Sequence, residues 1–303
     1  MEEMMNRIVY FALILVSTAL MGSSFAVGKI TLEYISPLLL VGLRFTLAGA
    51  LMAIITVKRR RPDNLADWGR IVIVGFFQTT TVMGSIFLSM RTVSASESSI
   101  LTFSNPLFVV LFGTIFLSMR YRLLQWIGVV AGFFGVYIAL GMKMHLQSGT
   151  WIGLVGAVSW AVATLMVNRW RERFDVWVLT AYQMLSGGAI MLVLSFALEK
   201  PKLEMNLTSV STLLWLAVMG SIIQFAFWFY LLQHGDPAKT SAFLFLAPFF
   251  GILSGWLILG EAIEKTVIFG SLLIFVGIFL INWPKSKVKE IRDDASARSY
   301  HWQ

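Results

Sequence analysis

Long apolar runs separated by short polar breaks recur along the whole chain. Charge-free stretches cover residues 8–28, 71–90, 98–119, 123–142, 146–168, 176–198, 205–233, 240–260 and 266–284, and one more, about 37–57, is apolar except for Arg44. A bilayer core about 30 Å thick takes roughly 20 helical residues to cross. Backbone amides in lipid must be satisfied within the segment, so each run predicts a transmembrane helix. The pattern predicts an all-α integral membrane fold of ten transmembrane helices, with connections short enough to make neighbours antiparallel. The run at 8–28 is longer than the apolar region of about 7–15 residues in a cleaved leader, so it is expected to stay as the first helix.

Composition and charge sharpen this picture. Hydrophobic residues make up 57% of the chain and charged ones only 13%, against about 25% charged in soluble domains. The mean hydropathy is +0.78. The net charge of +8 sits between the apolar runs, which argues against nucleic acid as a partner and for a topology signal. With the N-terminus inside, one side of the membrane holds Arg7, Lys58 to Arg61, Arg70, Arg120, Arg122, Arg169, Arg171, Arg173, Lys239 and the basic tail. The other side holds only Lys29, Arg91, Lys143, Lys200, Lys202 and Lys265. The bias places both termini in the cytoplasm and the protein in the cytoplasmic (inner) membrane. There is no cysteine, and the three histidines, His145, His234 and His301, fall outside the apolar runs. No metal centre, cofactor or phosphate-binding loop is expected.

The chain also carries an internal duplication. Pro106 and Pro248 stand at a numbering offset of 142, and Gly113 with Gly255, Gly128 with Gly270, and Gly135 with Gly277 keep that offset. Earlier in each half the offset is 139, pairing Gly49 with Gly188 and Arg44 with Gln183. The difference falls in the basic loop between the second and third helices. Five helices per copy is an odd number, so the second copy enters the membrane from the opposite face. This gives two inverted five-helix repeats, over residues 1–145 and 146–284, followed by a cytoplasmic tail at 285–303. Inverted repeats are a common architecture of secondary transporters.

Met21-Gly22-Ser23-Ser24-Phe25 in the first helix, Pro37 followed by Arg44 in the second, and Leu259-Gly260-Glu261 closing the ninth resemble the drug/metabolite transporter superfamily in its EamA-type, ten-helix branch. Met21 stands where that family usually has tryptophan, and the first half has Leu117-Ser118-Met119 in place of a second Leu-Gly-Glu. The resemblance implies a carrier of amino acids, nucleobases, sugars or other metabolites, with export favoured. It also implies that helices 1, 3, 4, 6, 8 and 9 line the cavity and that helices 5 and 10 lie together.

Several residues carry candidate chemistry. Arg44 lies about two turns inside the second helix, where a charge is costly and needs a partner or a wet cavity. It is a topology-fixing or helix-packing pair, a direct substrate contact, or a side chain that snorkels to the interface. Glu97, at the outer end of the fourth helix, is a candidate partner for Arg44 or a proton carrier, or else a hydrated helix end; its counterpart is Lys239. Pro106 and Pro248 each remove a backbone donor, which makes them symmetric hinges or passive bends. Asn105, Gln78, Gln224, Trp160, Trp228 and Tyr230 are candidate cavity residues, polar or aromatic groups within otherwise apolar spans. The expected function is secondary transport of a small organic, amino-acid-like solute by alternating access. The partners are that solute and the lipid bilayer, with protons as candidate coupling ions, and the expected unit is a monomer. The alternative is a non-transporting receptor or lipid-binding scaffold, which has no need of matched prolines in inverted copies. Catalysis is not expected, because no set of acids and bases converges.

Overall fold

A computed structural model describes residues 7–117, 122–139, 147–170, 173–234, 246–263, 265–281 and 283. Its helices are α1 (Arg7–Thr31), α2 (Pro37–Ile55), α3 (Leu65–Gly75), α4 (Val82–Ser89), α5 (Ala95–Thr102), α6 (Asn105–Leu117), α7 (Leu123–Ala139), α8 (Ser148–Arg169), α9 (Val176–Leu198), α10 (Leu207–Ala217), α11 (Gln224–His234), α12 (Leu246–Leu259) and α13 (Lys265–Ile281). A π-turn, Phe76–Thr81, joins α3 to α4, and a second, Val218–Ile223, joins α10 to α11. With each joined pair counted once, and α5 with α6 as one interrupted span, ten membrane segments result. Seven are long and apolar enough to cross a bilayer, and three are shorter apolar helices: Leu123–Gly135, Phe249–Leu259 and Lys265–Gly277.

The starts of the spans repeat from half to half. Ser36 precedes Pro37 at the start of α2, and Asp175, at the 139 offset, caps α9 through the amides of Trp177 and Val178. Asn64 caps α3 through Asp67, and Asn206, at the 142 offset, caps α10 through Ser209. Asp175, Asn64 and Asn206 satisfy amides that would otherwise be orphaned at a helix start, whereas the Ser36 side chain makes no such bond. The offset therefore changes between the second and third spans, where the sequence locates it. The two π-turns are also related by the 142 offset.

Packing follows the same symmetry. The second span packs on the seventh, the fifth on the tenth and the fourth on the ninth. The first packs on the ninth as the fourth does on the sixth, and on the eighth as the third does on the sixth. Each pairing maps onto another, or onto itself, when five helices are added or subtracted. This is the two-fold arrangement of two inverted five-helix repeats.

Large apolar side chains face outward as well as inward, and the interior also holds many hydroxyls. Ile54, Ile55, Phe116, Phe196, Leu198 and Phe269 are exposed, whereas Ser17, Thr18, Ser98 and Thr180 are buried. Many of these hydroxyls return their proton to the preceding turn, as Thr18 does to the Ile14 carbonyl at 2.8 Å and Thr102 to that of Ser98 at 2.8 Å, and so add no unpaired donor to the membrane interior. Among the described residues, the hydroxyls of Ser17, Thr46, Ser99 and Ser271 are buried with no partner. Glycines let the paired helices approach. A Cβ at Gly277 would stand 2.5 Å from the Gly128 carbonyl oxygen, and one at Gly49 would stand 2.5 Å from the Leu185 nitrogen.

Candidate functional site between the two halves

Arg44 is 3% exposed, in the middle of α2. Its Nε donates to Ser221 Oγ at 2.8 Å, and its Nη2 donates to the Gly220 carbonyl at 2.6 Å. Both acceptors lie in the second π-turn. A π-turn shifts the backbone register and leaves a carbonyl without its helical donor, and the guanidinium supplies one. The cation also stands 4.8 Å from the centroid of the Phe45 ring. Gly220 leaves the room: a Cβ there would come 3.1 Å from Arg44 Nη2 and 2.6 Å from Ser24 Oγ. In the other half, Gln183 accepts from Thr79 Oγ1 at 2.7 Å, and Thr79 lies in the first π-turn. Arg44 thus meets neutral groups of the eighth span rather than Glu97.

The fourth span is broken. α5 ends at Thr102, Phe103 and Ser104 form a turn, and α6 starts at Asn105. Pro106 has no amide hydrogen to give Thr102, so the break falls where the helical ladder already lacks a bond. Asn105 is 9% exposed at this break. Phe103 stands 6.0 Å from Phe25 of α1 and 5.7 Å from Trp160 of α8, ring centre to ring centre. Trp228 is buried in the same core cluster, which also holds Met21 and Phe87. Asn105, Trp160 and Trp228 are thus gathered around the break or its core. Gln78 is half-buried in the first π-turn, and Gln224 is buried at the start of α11. Sequence reasoning misses Phe25 and Phe103 as a pair, since neither stands out in an apolar run. Tyr230, Pro106 and Pro248 lie on α11, α6 and α12, and their side chains lie outside the description. Lys239 and the tail also fall outside the described residues.

One end of the bundle is cross-linked by polar contacts. Lys29, at the end of α1, donates to the carbonyls of Met90 and Val93, the latter at 3.0 Å. Glu97 forms a capping box with Ser94: its amide donates to Ser94 Oγ at 3.1 Å, and its Oε2 accepts from the Ser94 amide at 2.9 Å. Glu261 accepts from the amides of Ala95 at 2.8 Å and Ser96 at 3.1 Å, and from Ser96 Oγ at 2.6 Å. Thr92 Oγ1 accepts from the Gly149 amide that opens α8, at 2.9 Å. Glu199 accepts from Ser36 Oγ at 2.8 Å and the Leu39 amide at 3.0 Å, and pairs with Arg91 at 3.3 Å. Acidic groups at these helix starts also meet the positive end of the dipole. A separate apolar groove of about 480 Å³, lined by Leu123, Trp126, Val130, Phe134 and Leu273 among others, lies on the fifth and tenth helices. It contains none of the candidate site residues.

Among known proteins, the model of the EamA-like transporter family matches the chain twice, over residues 8–141 and 147–283. The chain is 28% identical to the uncharacterized transporter YoaV of Bacillus subtilis, with 90% of this chain and 96% of YoaV covered. It is 25% identical to the uncharacterized inner membrane transporter YedA of Escherichia coli K12, with 91% and 93% covered. It is 26% identical to the WAT1-related protein At3g02690, chloroplastic, of Arabidopsis thaliana, with 87% and 67% covered. A solved crystal structure shares the fold at a TM-score of 0.65 and 20% identity, over 89% of this chain and 96% of that one.

Proposed function

The chain belongs to the EamA-like transporter family, and from that premise we propose that this multi-pass transporter of small solutes works by alternating access. The cargo is a small organic, amino-acid-like metabolite, which the protein exports across the cytoplasmic membrane. The repeats 1–145 and 146–284 supply the two gates, both termini are cytoplasmic, one chain suffices, and protons are the coupling ion. Glu97 is the carboxylate we assign to proton coupling.

The observation that carries this reading is the break in the fourth span. Phe103 and Ser104 interrupt it beside Phe25, Trp160 and Asn105. Discontinuous helices supply free backbone acceptors at mid-membrane, where transporters hold their substrates. Thr102 lacks its helical donor because residue 106 is proline. The aromatic rings offer an apolar wall, and Asn105 and the freed carbonyl offer polar contacts. Gln78, Gln224, Trp228 and Tyr230 complete the candidate lining. Pro106 and Pro248 act as the hinges.

The test is ligand stabilisation of the purified protein against a panel of amino acids and related metabolites. At least one solute class is expected to raise the melting temperature. Asn105→Ala and Trp160→Ala are each expected to remove the rise while leaving the unliganded melting temperature within a few degrees. A rise that both variants retain would place the binding site elsewhere.

A further inference from the structure

We propose that Glu261 is a latch: its carboxylate clamps the short half-helix α5 to the ninth span and holds that end of the bundle closed, and its release lets the end open. The inference rests on the alternating-access reading above.

The half-helix α5 is short and cut off from α6 at Phe103–Ser104, so it depends on its neighbours for its position. A helix start leaves amides without partners. Here the Ser94 side chain takes the amide of Glu97, but those of Ala95 and Ser96 are taken by Glu261, far away in the second half. If the carboxylate leaves, the amides of Ala95 and Ser96, both buried residues, lose their partner, and parting of this end lets water replace it. Capping and closure are therefore coupled.

The ninth span is shaped for the task. Gly260 has φ +67°, a left-handed conformation that suits glycine. It ends the helix with its amide bonded to the Trp256 carbonyl at 3.2 Å, while the Glu261 amide returns to that of Gly255 at 3.1 Å. This turn swings Glu261 back over its own helix. A Cβ at Gly255 would stand 2.5 Å from Glu261 Oε2, and one at Gly251 would stand 2.3 Å from Ser99 Oγ. The face of α12 toward α5 is thus smooth, with space kept for the carboxylate. Lys29 lies within electrostatic reach of both Glu261 and Glu97 and holds the end of the third span from α1. The equivalent position in the first half, at the 142 offset, is Met119, which has no carboxylate, so the latch belongs to one gate only.

The chain has no cysteine, so Ser104→Cys at the break gives a single reporter. It is labelled with a membrane-impermeant thiol reagent in right-side-out and inside-out vesicles. Glu261→Gln keeps the side chain's size but puts an N–H₂ group against amide donors. It is expected to raise labelling from the Lys29 side roughly fivefold or more and to lower it from the other side. Gly255→Ala keeps the charge but crowds the carboxylate, and is expected to give the same reciprocal shift. Ser96→Ala, which removes one of the three bonds, gives a smaller one. A merely structural carboxylate would lower yield without this reciprocity. Labelling unchanged on both sides in folded Gly255→Ala and Glu261→Gln would overturn the latch, provided that solute still shifts the unsubstituted reporter reciprocally. A reporter that solute never shifts would overturn the alternating-access reading, and the latch with it.

Discussion

Arg44 donates to Ser221 Oγ at 2.8 Å across the boundary between the two halves, from the second span to the eighth. The relationship has a reflection. Gln183, the counterpart of Arg44 at the 139 offset, accepts at 2.7 Å from Thr79, the counterpart of Ser221 at the 142 offset. Both contacts fix a π-turn, and both run from the second helix of one half to the third helix of the other. One half uses a neutral side chain for this task. Arg44 therefore acts here as a hydrogen-bond donor to a carbonyl and a hydroxyl of the second π-turn.

Removal of that contact should be costly. Arg44→Ala leaves the Gly220 carbonyl and Ser221 buried without the donor that Arg44 supplies, at about 1.5–3 kcal/mol for each lost hydrogen bond to a charged group. The expected result is a melting temperature several degrees lower and flux below about one tenth of wild type. Arg44→Gln, which copies the other half, should recover most of the stability. Arg61→Ala removes an exposed charge and should be silent. Thermal unfolding in detergent and flux in vesicles are the readouts. Wild-type behaviour of Arg44→Ala would show that the π-turn does not need its donor.

Glu97 separates structure from coupling. Its carboxylate closes a capping box with Ser94, and glutamine serves that box as well. Glu97→Gln should therefore keep thermal stability within about 0.5 kcal/mol while abolishing the response of flux to an imposed pH gradient. A retained pH response would leave Glu97 a helix cap alone.

Topology can be checked directly. Cysteines placed singly at Lys58 and Arg61 should react only from the cytoplasmic side, and one at Lys200 only from the opposite side. Reaction of position 200 from the cytoplasm alone would invert the assignment.

The paired prolines should act in opposite senses. Pro106→Ala gives Thr102 its donor back and favours a continuous fourth span, while Pro248→Ala does the same for the ninth. Accessibility of Ser104→Cys from the two faces should shift in opposite directions in the two variants. Shifts of the same sign would reduce the prolines to packing features.

Much of this was legible in the chain itself. Ten spans follow from bilayer thickness, and the change of offset from 139 to 142 places the insertion where the caps Asp175 and Asn206 also put it. The break at Phe103 falls beside the bond that Pro106 removes. The close pairing of the fifth and tenth helices, implied by family resemblance, is present. The π-turns are not legible, because the glycine of Val218–Ile223 and the threonines of Phe76–Thr81 are residue types that also occur throughout this chain's regular helices. Nor is the partner of Arg44, since depth along a span says nothing of which neighbour faces it. Glu97 and Arg44 share a depth by counting, yet one belongs to a helix cap and the other to a cross-half contact. Glu261 was visible as a motif residue, but its reach to Ala95 depends on the left-handed turn at Gly260.

The central claim is that this chain carries a small solute across the membrane, and solute counterflow tests it most directly. Purified protein is reconstituted in liposomes preloaded with a solute that stabilises it, and these are diluted into trace labelled solute. Transient accumulation of label above equilibrium is predicted for wild type, with its loss in Trp160→Ala. Binding without any accumulation, in protein that remains folded in the bilayer, would contradict transport and leave a receptor or scaffold.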